Sequence, residues 1–166
     1  YRFWESDPTR VREHHFHLDD LFASAFGLLY IVGFLAYLPQ IHALSNGAIW
    51  LIALVLMIWA SDIAAYYGGH TFGRHKLALV ISPGKTLEGS VSGIFGSLLI
   101  AAGIKMYFLT SLISQLGDLF ESLLKRVVGV KDSGYLLPGH GGMLDRFDSL
   151  ILAAPFYYFL LRIWIV

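Results

Sequence analysis

Apolar residues fall into four long blocks, at 21–38, 49–66, 89–124 and 149–166, with short polar segments between them. A helix that crosses a bilayer needs about 20 mostly apolar residues. The first block stops at Pro39, the second carries Asp62 near its end, and the last runs to Val166. The third is longer than one span and is interrupted by Lys105, where no Gly, Pro or Asn cluster marks a turn. Residues 1–20 are mixed, with Phe3, Trp4, Val11 and Phe16 among arginines and acids, which suits an interfacial or connecting segment.

Basic residues in the polar segments set the orientation of such a chain. Segment 67–88 carries Arg74, Lys76 and Lys85; segment 125–146 carries Lys125, Arg126, Lys131 and Arg146; segment 39–48 carries no Lys or Arg. Both basic segments are therefore expected on the cytoplasmic side, which requires an even number of crossings between them. The prediction is an all-α, polytopic transmembrane bundle with about five spans, near 21–38, 49–66, 89–104, 106–124 and 149–166. A turn, or a connection absent from this sequence, is expected near 104–106. Residues 1–20 form the connecting segment and 21–166 the membrane domain, with its active site at the cytoplasmic face. Gly89, Gly93, Gly96 and Ser97 recur at helical spacing and are expected to let two helices approach closely.

Composition points the same way. The 166 residues are 56% hydrophobic and 14% charged, where a soluble domain carries about a quarter charged residues. Twelve basic and twelve acidic residues balance, so charge gives no sign of a nucleic-acid partner. The absence of cysteine excludes disulfides and thiolate zinc sites. The chain starts at Tyr1 without a signal-peptide pattern and reads as part of a longer protein.

Against this background the charged positions stand out. Asp118, Glu121, Ser122 and Lys125 share one helical face. Such a stripe cannot face lipid and must line the bundle interior or a water-filled cavity. Asp145 and Asp148 repeat the spacing at the start of the last block, just after His140, Gly141 and Gly142. Two carboxylate pairs joined by a flexible loop can converge on one or two divalent cations, and all-oxygen ligation favours Mg²⁺, Mn²⁺ or Ca²⁺ over zinc. Buried structural ion pairs, such as Asp118 with Lys125 or Asp145 with Arg126, are the competing explanation. Asp62 is expected at the same depth, as a further metal or substrate contact or as a helix cap. In SPGKTLEG, 82–89, the Gly-Lys-Thr run resembles the end of a P-loop, but Leu79 stands where that motif needs glycine, and no strand is expected before it. The segment reads instead as an anion site at a helix N-terminus, with Ser82, Lys85 and Thr86 as its donors, or as a plain helix cap closed by Glu88. His14, His15 and His17 lack an obvious carboxylate partner at ligand spacing and are not assigned a metal.

Residues 122–148, SLLKRVVGVKDSGYLLPGHGGMLDRFD, resemble the signature of the phosphatidate cytidylyltransferases, also called CDP-diacylglycerol synthases. SPGKTLEG and residues 62–66 are similar to the same family, so the resemblance covers about 59–166, and 21–166 would be the catalytic domain. Leu87 stands where the family often has Trp, and the interval 88–117 is shorter than usual, in keeping with a connection missing near Lys105.

The resemblance implies an enzyme of phospholipid synthesis in a bacterial-type plasma (inner) membrane. It would join CTP to phosphatidic acid, with Mg²⁺, two divalent ions or Mn²⁺ as cofactor, and would form a homodimer. By the same resemblance, Asp118 and Asp145 would be the principal metal ligands, with Glu121 and Asp148 as ligands or behind them. Lys125, Lys131 and His140 would hold phosphates, with Ser82, Lys85 and Thr86, and Gly141 and Gly142 would let the backbone approach the nucleotide. Asp62, Ser122, Asp132 and Arg146 complete the expected substrate-binding set, and Arg126, Lys76 and Arg74 would draw the lipid headgroup. The rival from another class is a cation- or proton-coupled transporter using the intramembrane acids. It leaves the Lys/His/Gly-rich loop unexplained. The Asp-Gly-x-x-Ala-Arg pattern of the CDP-alcohol phosphotransferases is absent.

Overall fold

A computed structural model describes residues 18–100, 107–134 and 142–165. The described chain is mostly helical. Helix α1, Leu18–Leu28, passes through a π-helical turn, Leu29–Gly33, into the short α2, Tyr37–His42. The expected stop at Pro39 does not occur. Pro39 is the third residue of α2, within the first turn, where its missing N–H has no intrahelical partner to lose. Asn46, in the left-handed conformation at φ 59°, turns the chain into α3, Gly47–Phe72. At 26 residues this helix is about 39 Å long, against about 30 Å for the hydrocarbon core of a bilayer.

A two-stranded hairpin follows, β1 (Lys76–Ala78) antiparallel to β2 (Ser82–Thr86). An all-α chain was expected, so the hairpin corrects that expectation. Lys76 pairs with Thr86 and Ala78 with Ser82, with a register shift between them. Thr86 then caps α4, Leu87–Ile100, its hydroxyl accepting the Gly89 N–H at 3.1 Å. Glu88 does not close that cap. Its carboxylate reaches back to the end of α3, accepting the N–H groups of Arg74 and His75, while His75 Nδ1 lies 2.6 Å away.

The His75 contact, helped by the two backbone N–H groups, draws the Glu88 carboxyl down to about 2 from its ordinary 4.5. A carboxylate depressed in the folded state stabilises it above the ordinary value, and that contribution is lost as pH falls through the folded value. Thermal midpoints in detergent should therefore drop more steeply below pH 4.5 for the wild type than for Glu88→Gln. Parallel pH profiles for the two proteins would show that the clasp carries no such stability.

Helix α5, Tyr107–Val128, runs back along α4. Gln115 Nε2 donates to Ser90 O at 3.1 Å. In one continuous helix these residues would lie about 37 Å apart. The chain thus reverses between α4 and α5, as the charge distribution requires. The reversal itself, 101–106, lies outside the described residues, as do 1–17. Gly129, at φ +77°, ends α5, and the Val130 N–H returns to Lys125 O at 2.9 Å. The last helix, α6, is Leu144–Ile165 with Pro155 inside it.

Packing depends on small residues where helices touch. Helices α3 and α4 are antiparallel, and a Cβ on Gly93 would meet Ser61 O at 2.9 Å and Ala65 Cβ at 3.1 Å. One on Gly89 would meet Ala65 O at 2.8 Å, and one on Gly96 would strike Ala64 Cβ. Ser97 is fully buried on the same face. This is the close seam expected from the glycine spacing. Between lipid-solvated helices such contact supplies van der Waals attraction in place of a hydrophobic drive. On the far side, Ile41, Leu54, Met57, Ile58, Ala153, Ala154, Tyr157 and Leu161 join α2, α3 and α6 in one apolar core.

Two helical stretches, Leu21–His42 and Gly47–Phe72, are long and apolar enough to cross a membrane, and Leu87–Leu99 is apolar but shorter. Large apolar side chains stand exposed along these helices, among them Leu29, Val32, Ile52, Trp59, Phe95 and Leu99.

Candidate functional site

Four elements bring the predicted residues together. Asp62 comes from α3, Ser82, Lys85 and Thr86 from the hairpin, Asp118, Glu121 and Lys125 from α5, and Asp145, Arg146 and Asp148 from α6. Gly117 lets α5 and α6 close up, since a Cβ there would meet Asp148 O at 2.9 Å and Leu152 Cβ at 3.1 Å. Across α3, α4 and α5 a small polar cluster fixes the bundle behind the site. Ser61 and Ser111 hydroxyls lie 3.2 Å apart, and Gln115 reaches both Ser90 O and Ser61 Oγ.

Two cavities open on the gathered acids. One, of about 500 Å³, lies between α3 and α6 and is lined by Val55, Ile58, Trp59, Asp62, Asp118, Asp145, Arg146 and Asp148, among others. The other, of about 600 Å³, lies between the end of α3, the hairpin and α5. Asp62, Ser82, Lys85, Thr86, Gln115 and Asp118 are in its wall. Asp62 and Asp118 belong to both.

The charges are interlocked. Lys85 is ion-paired with Asp118. Lys125 sits between two acids, 2.5 Å from Glu121 Oε2 and 2.8 Å from Asp145 Oδ1. Glu121 is only 1% exposed, so the lysine supplies charge where water cannot. Asp145 also accepts the Ser133 N–H and hydroxyl and the Gly142 N–H, the last at 2.7 Å. Burial pushes the Asp145 carboxyl up, but the Lys125 ammonium and these donors hold it well below the usual carboxylate range. Its reach back to the Gly142 N–H, three residues earlier, satisfies a free donor at the start of α6, where the helix dipole also favours an anion. A Cβ on Gly142 would collide with Ser133 Oγ. This glycine therefore serves the close approach of 133–134 to α6.

Asp118 lies near enough for its charge to act on Asp148, and both act on Asp62. Among the described residues no group of three His, Asp or Glu stands close enough to hold a metal ion as arranged. The other predicted positions are dispersed. Ser122 is half-buried on α5, and Lys131 and Asp132 are exposed on the turn after it. Arg126 is committed to the hairpin, its Nε donating to Ile81 O at 3.2 Å. His140 and Gly141 lie outside the described residues.

Sequence reasoning passed over Ser133, which contributes two of the donors to Asp145. The Lys-Asp-Ser-Gly run, 131–134, is turn chemistry that could have marked it. It also passed over Gln115, whose polarity amid Ile113, Leu116 and Leu119 was the available signal.

Comparison with known proteins places this arrangement. The model of the cytidylyltransferase family matches residues 4–164. The phosphatidate cytidylyltransferase of Haemophilus influenzae is 36% identical over 94% of this chain and 58% of its own length. That of Bacillus subtilis is 39% identical over 94% of this chain and 64% of its own. For the Staphylococcus aureus protein the figures are 44%, 70% and 50%. The chain thus spans half to two thirds of the relatives it matches. At 176 positions, the alignment with the Haemophilus protein is longer than the whole 166-residue chain, so the relative has residues there that this chain lacks. With the match running through every element of the site, the chain belongs to the cytidylyltransferase family.

Proposed function

We propose that the protein is the catalytic part of a membrane phosphatidate cytidylyltransferase, which transfers CMP from CTP to phosphatidic acid. A phosphatidate oxygen attacks the α-phosphorus of CTP, the bond from that phosphorus to the β-phosphate bridging oxygen breaks, and pyrophosphate leaves. The nucleophile is already anionic, so no general base is required. The barrier lies in bringing two anions together and stabilising the charge that spreads over the phosphoryl oxygens. The observation that carries this reading is the meeting of two cavities at Asp62 and Asp118, with Lys85 beside them. Two substrates can enter from different sides and react where both walls coincide. Lys85 can exchange its carboxylate partner for a phosphate oxygen. Lys125 holds Asp145 and Glu121 in place, and Asp145 holds Ser133 and Gly142 against the start of α6.

The oxygen-only donor set of Asp118, Asp145, Asp148 and Glu121 fits Mg²⁺ or Mn²⁺ in its chemistry. Bound there, the ion would neutralise charge on the phosphates. Asp118, which holds Lys85, and Asp148, which accepts the Ser149 N–H, have fewer groups to give up than Asp145. Asp145 can ligate only by giving up some of its present donors, which ties metal binding to its contacts with Ser133 and Gly142. Two long apolar helices and exposed apolar side chains support a membrane domain; the reversal between α4 and α5 and the basic residues of 67–88 and 125–146 support the five-span reading with the site facing the cytoplasm.

One experiment tests activity and sidedness together. The full-length protein is reconstituted in vesicles with phosphatidic acid and given radiolabelled CTP and Mg²⁺. Lipid-bound label should appear where the cytoplasmic face is outward, should vanish with EDTA, and should be restored by Mg²⁺ or Mn²⁺. In vesicles of the opposite orientation it should appear only after permeabilisation. Absence of product under all conditions, with ion flux instead, would put the transporter in its place.

A further inference from the structure

The two cavities differ in a way that assigns the substrates to them. This rests on the cytidylyltransfer reading and adds which substrate sits where. Along α3, residues 62, 65, 66, 69 and 70 share one face and all line the cavity beside the hairpin. Asp62 forms the inner end of this stripe. Tyr66 follows about 6 Å along the helix axis and His70 about 12 Å, the range over which a ribose and base extend from a phosphate. The Tyr66 and His70 rings are parallel to within 6°, with centroids 6.3 Å apart. Tyr66 is 69% exposed and lines the cavity with His70. Lys76 and Lys85 line this cavity and not the other. Lys85, paired with Asp118 at the inner end, and parallel aromatic faces farther out along α3 suit a nucleoside triphosphate.

The cavity between α3 and α6 shares Asp62 and Asp118 with it and adds Asp145, Arg146 and Asp148. Away from these charges its wall is apolar, with Val55, Ile58 and Trp59 deeper along α3 than Asp62 and Leu150 on α6. Trp59 is 61% exposed, so this side opens toward lipid. We propose that the hairpin-side cavity binds CTP, with Tyr66 and His70 as the stacking surface for its cytosine ring, and that phosphatidate enters between α3 and α6. The substrates meet at Asp62 and Asp118.

Base stacking on aromatic side chains is tolerant of sequence and depends on the ring face. In the full-length protein, held in nanodiscs with Mg²⁺, Tyr66→Ala and His70→Ala should each raise the KM for CTP about ten-fold. The KM for phosphatidate should stay unchanged, and Tyr66→Phe, which keeps the ring face, should raise the KM for CTP much less than Tyr66→Ala. Photolysis with 5-iodo-CTP should attach the nucleotide to Tyr66 or His70. Attachment at Trp59 or Phe147, or a rise in the phosphatidate KM instead, would overturn the assignment while leaving the cytidylyltransfer reading intact. Unchanged kinetics in both alanine variants would make the two rings interfacial anchors. A wild-type protein that neither turns over CTP nor takes the photolabel would remove both readings.

Discussion

Asp118→Asn should lower turnover by about 1,000-fold or more, the scale of losing a group that organises charge at a reacting phosphate. The protein should stay folded, because the partner released is Lys85, which is 26% exposed and can be hydrated. Asp145→Asn should be as inactive for a mixed reason, since asparagine keeps one acceptor oxygen and loses the charge that Lys125, Ser133 and Gly142 converge on. If the two acids serve one centre, the double variant will be no slower than the worse single one. Assays of CMP transfer at saturating substrate, with size-exclusion profiles in detergent to verify folding, decide the matter. Near-normal turnover in Asp118→Asn would remove that residue from the centre.

The second large effect is expected at Lys125. Its ammonium is the charge partner of Glu121, which is 1% exposed, and of Asp145. Removing one member of a buried pair leaves the other uncompensated, at about 3–5 kcal/mol. Lys125→Met keeps most of the packing volume and should lower stability by that amount as well as abolish activity. The double variant Glu121→Gln/Lys125→Met should recover much of the stability and none of the activity. Denaturant midpoints in detergent measure the first, and CMP transfer the second. A Lys125→Met protein as stable as wild type would mean that water, not the lysine, satisfies Glu121.

Much of this arrangement was legible because hydropathy and charge act over long stretches. The apolar blocks gave the helices, and basic residues on both sides of 89–124 required the chain to turn back, as the Gln115–Ser90 hydrogen bond requires as well. The stripe of Asp118, Glu121 and Lys125 faces inward, as a charged row in an apolar helix must. Short-range features were less legible. Proline at 39 looks like a stop but sits in a helical first turn. The strand Ser82–Thr86 contains Pro83 and Gly84, so no alternating pattern announces it; pairing with Lys76–Ala78 decides its conformation. The place of Asp145 as the acceptor for a distant serine depends on a loop closing over 12 residues, which spacing along the chain does not encode.

The seam between α3 and α4 has a consequence for how this sequence can vary. Glycine has no side chain to shorten, so at Gly89, Gly93 and Gly96 every replacement adds atoms where Ala65, Ser61 and Ala64 already stand. No change on the facing helix can make room either, since several of the blocking atoms are its backbone carbonyl oxygens. The same helix carries Phe95 and Leu99 on its outer side, 63% and 81% exposed, where any apolar residue serves a lipid neighbour equally well. One helix thus holds two evolutionary regimes a single turn apart: a face on which drift is nearly free, and a face that admits no compensating path.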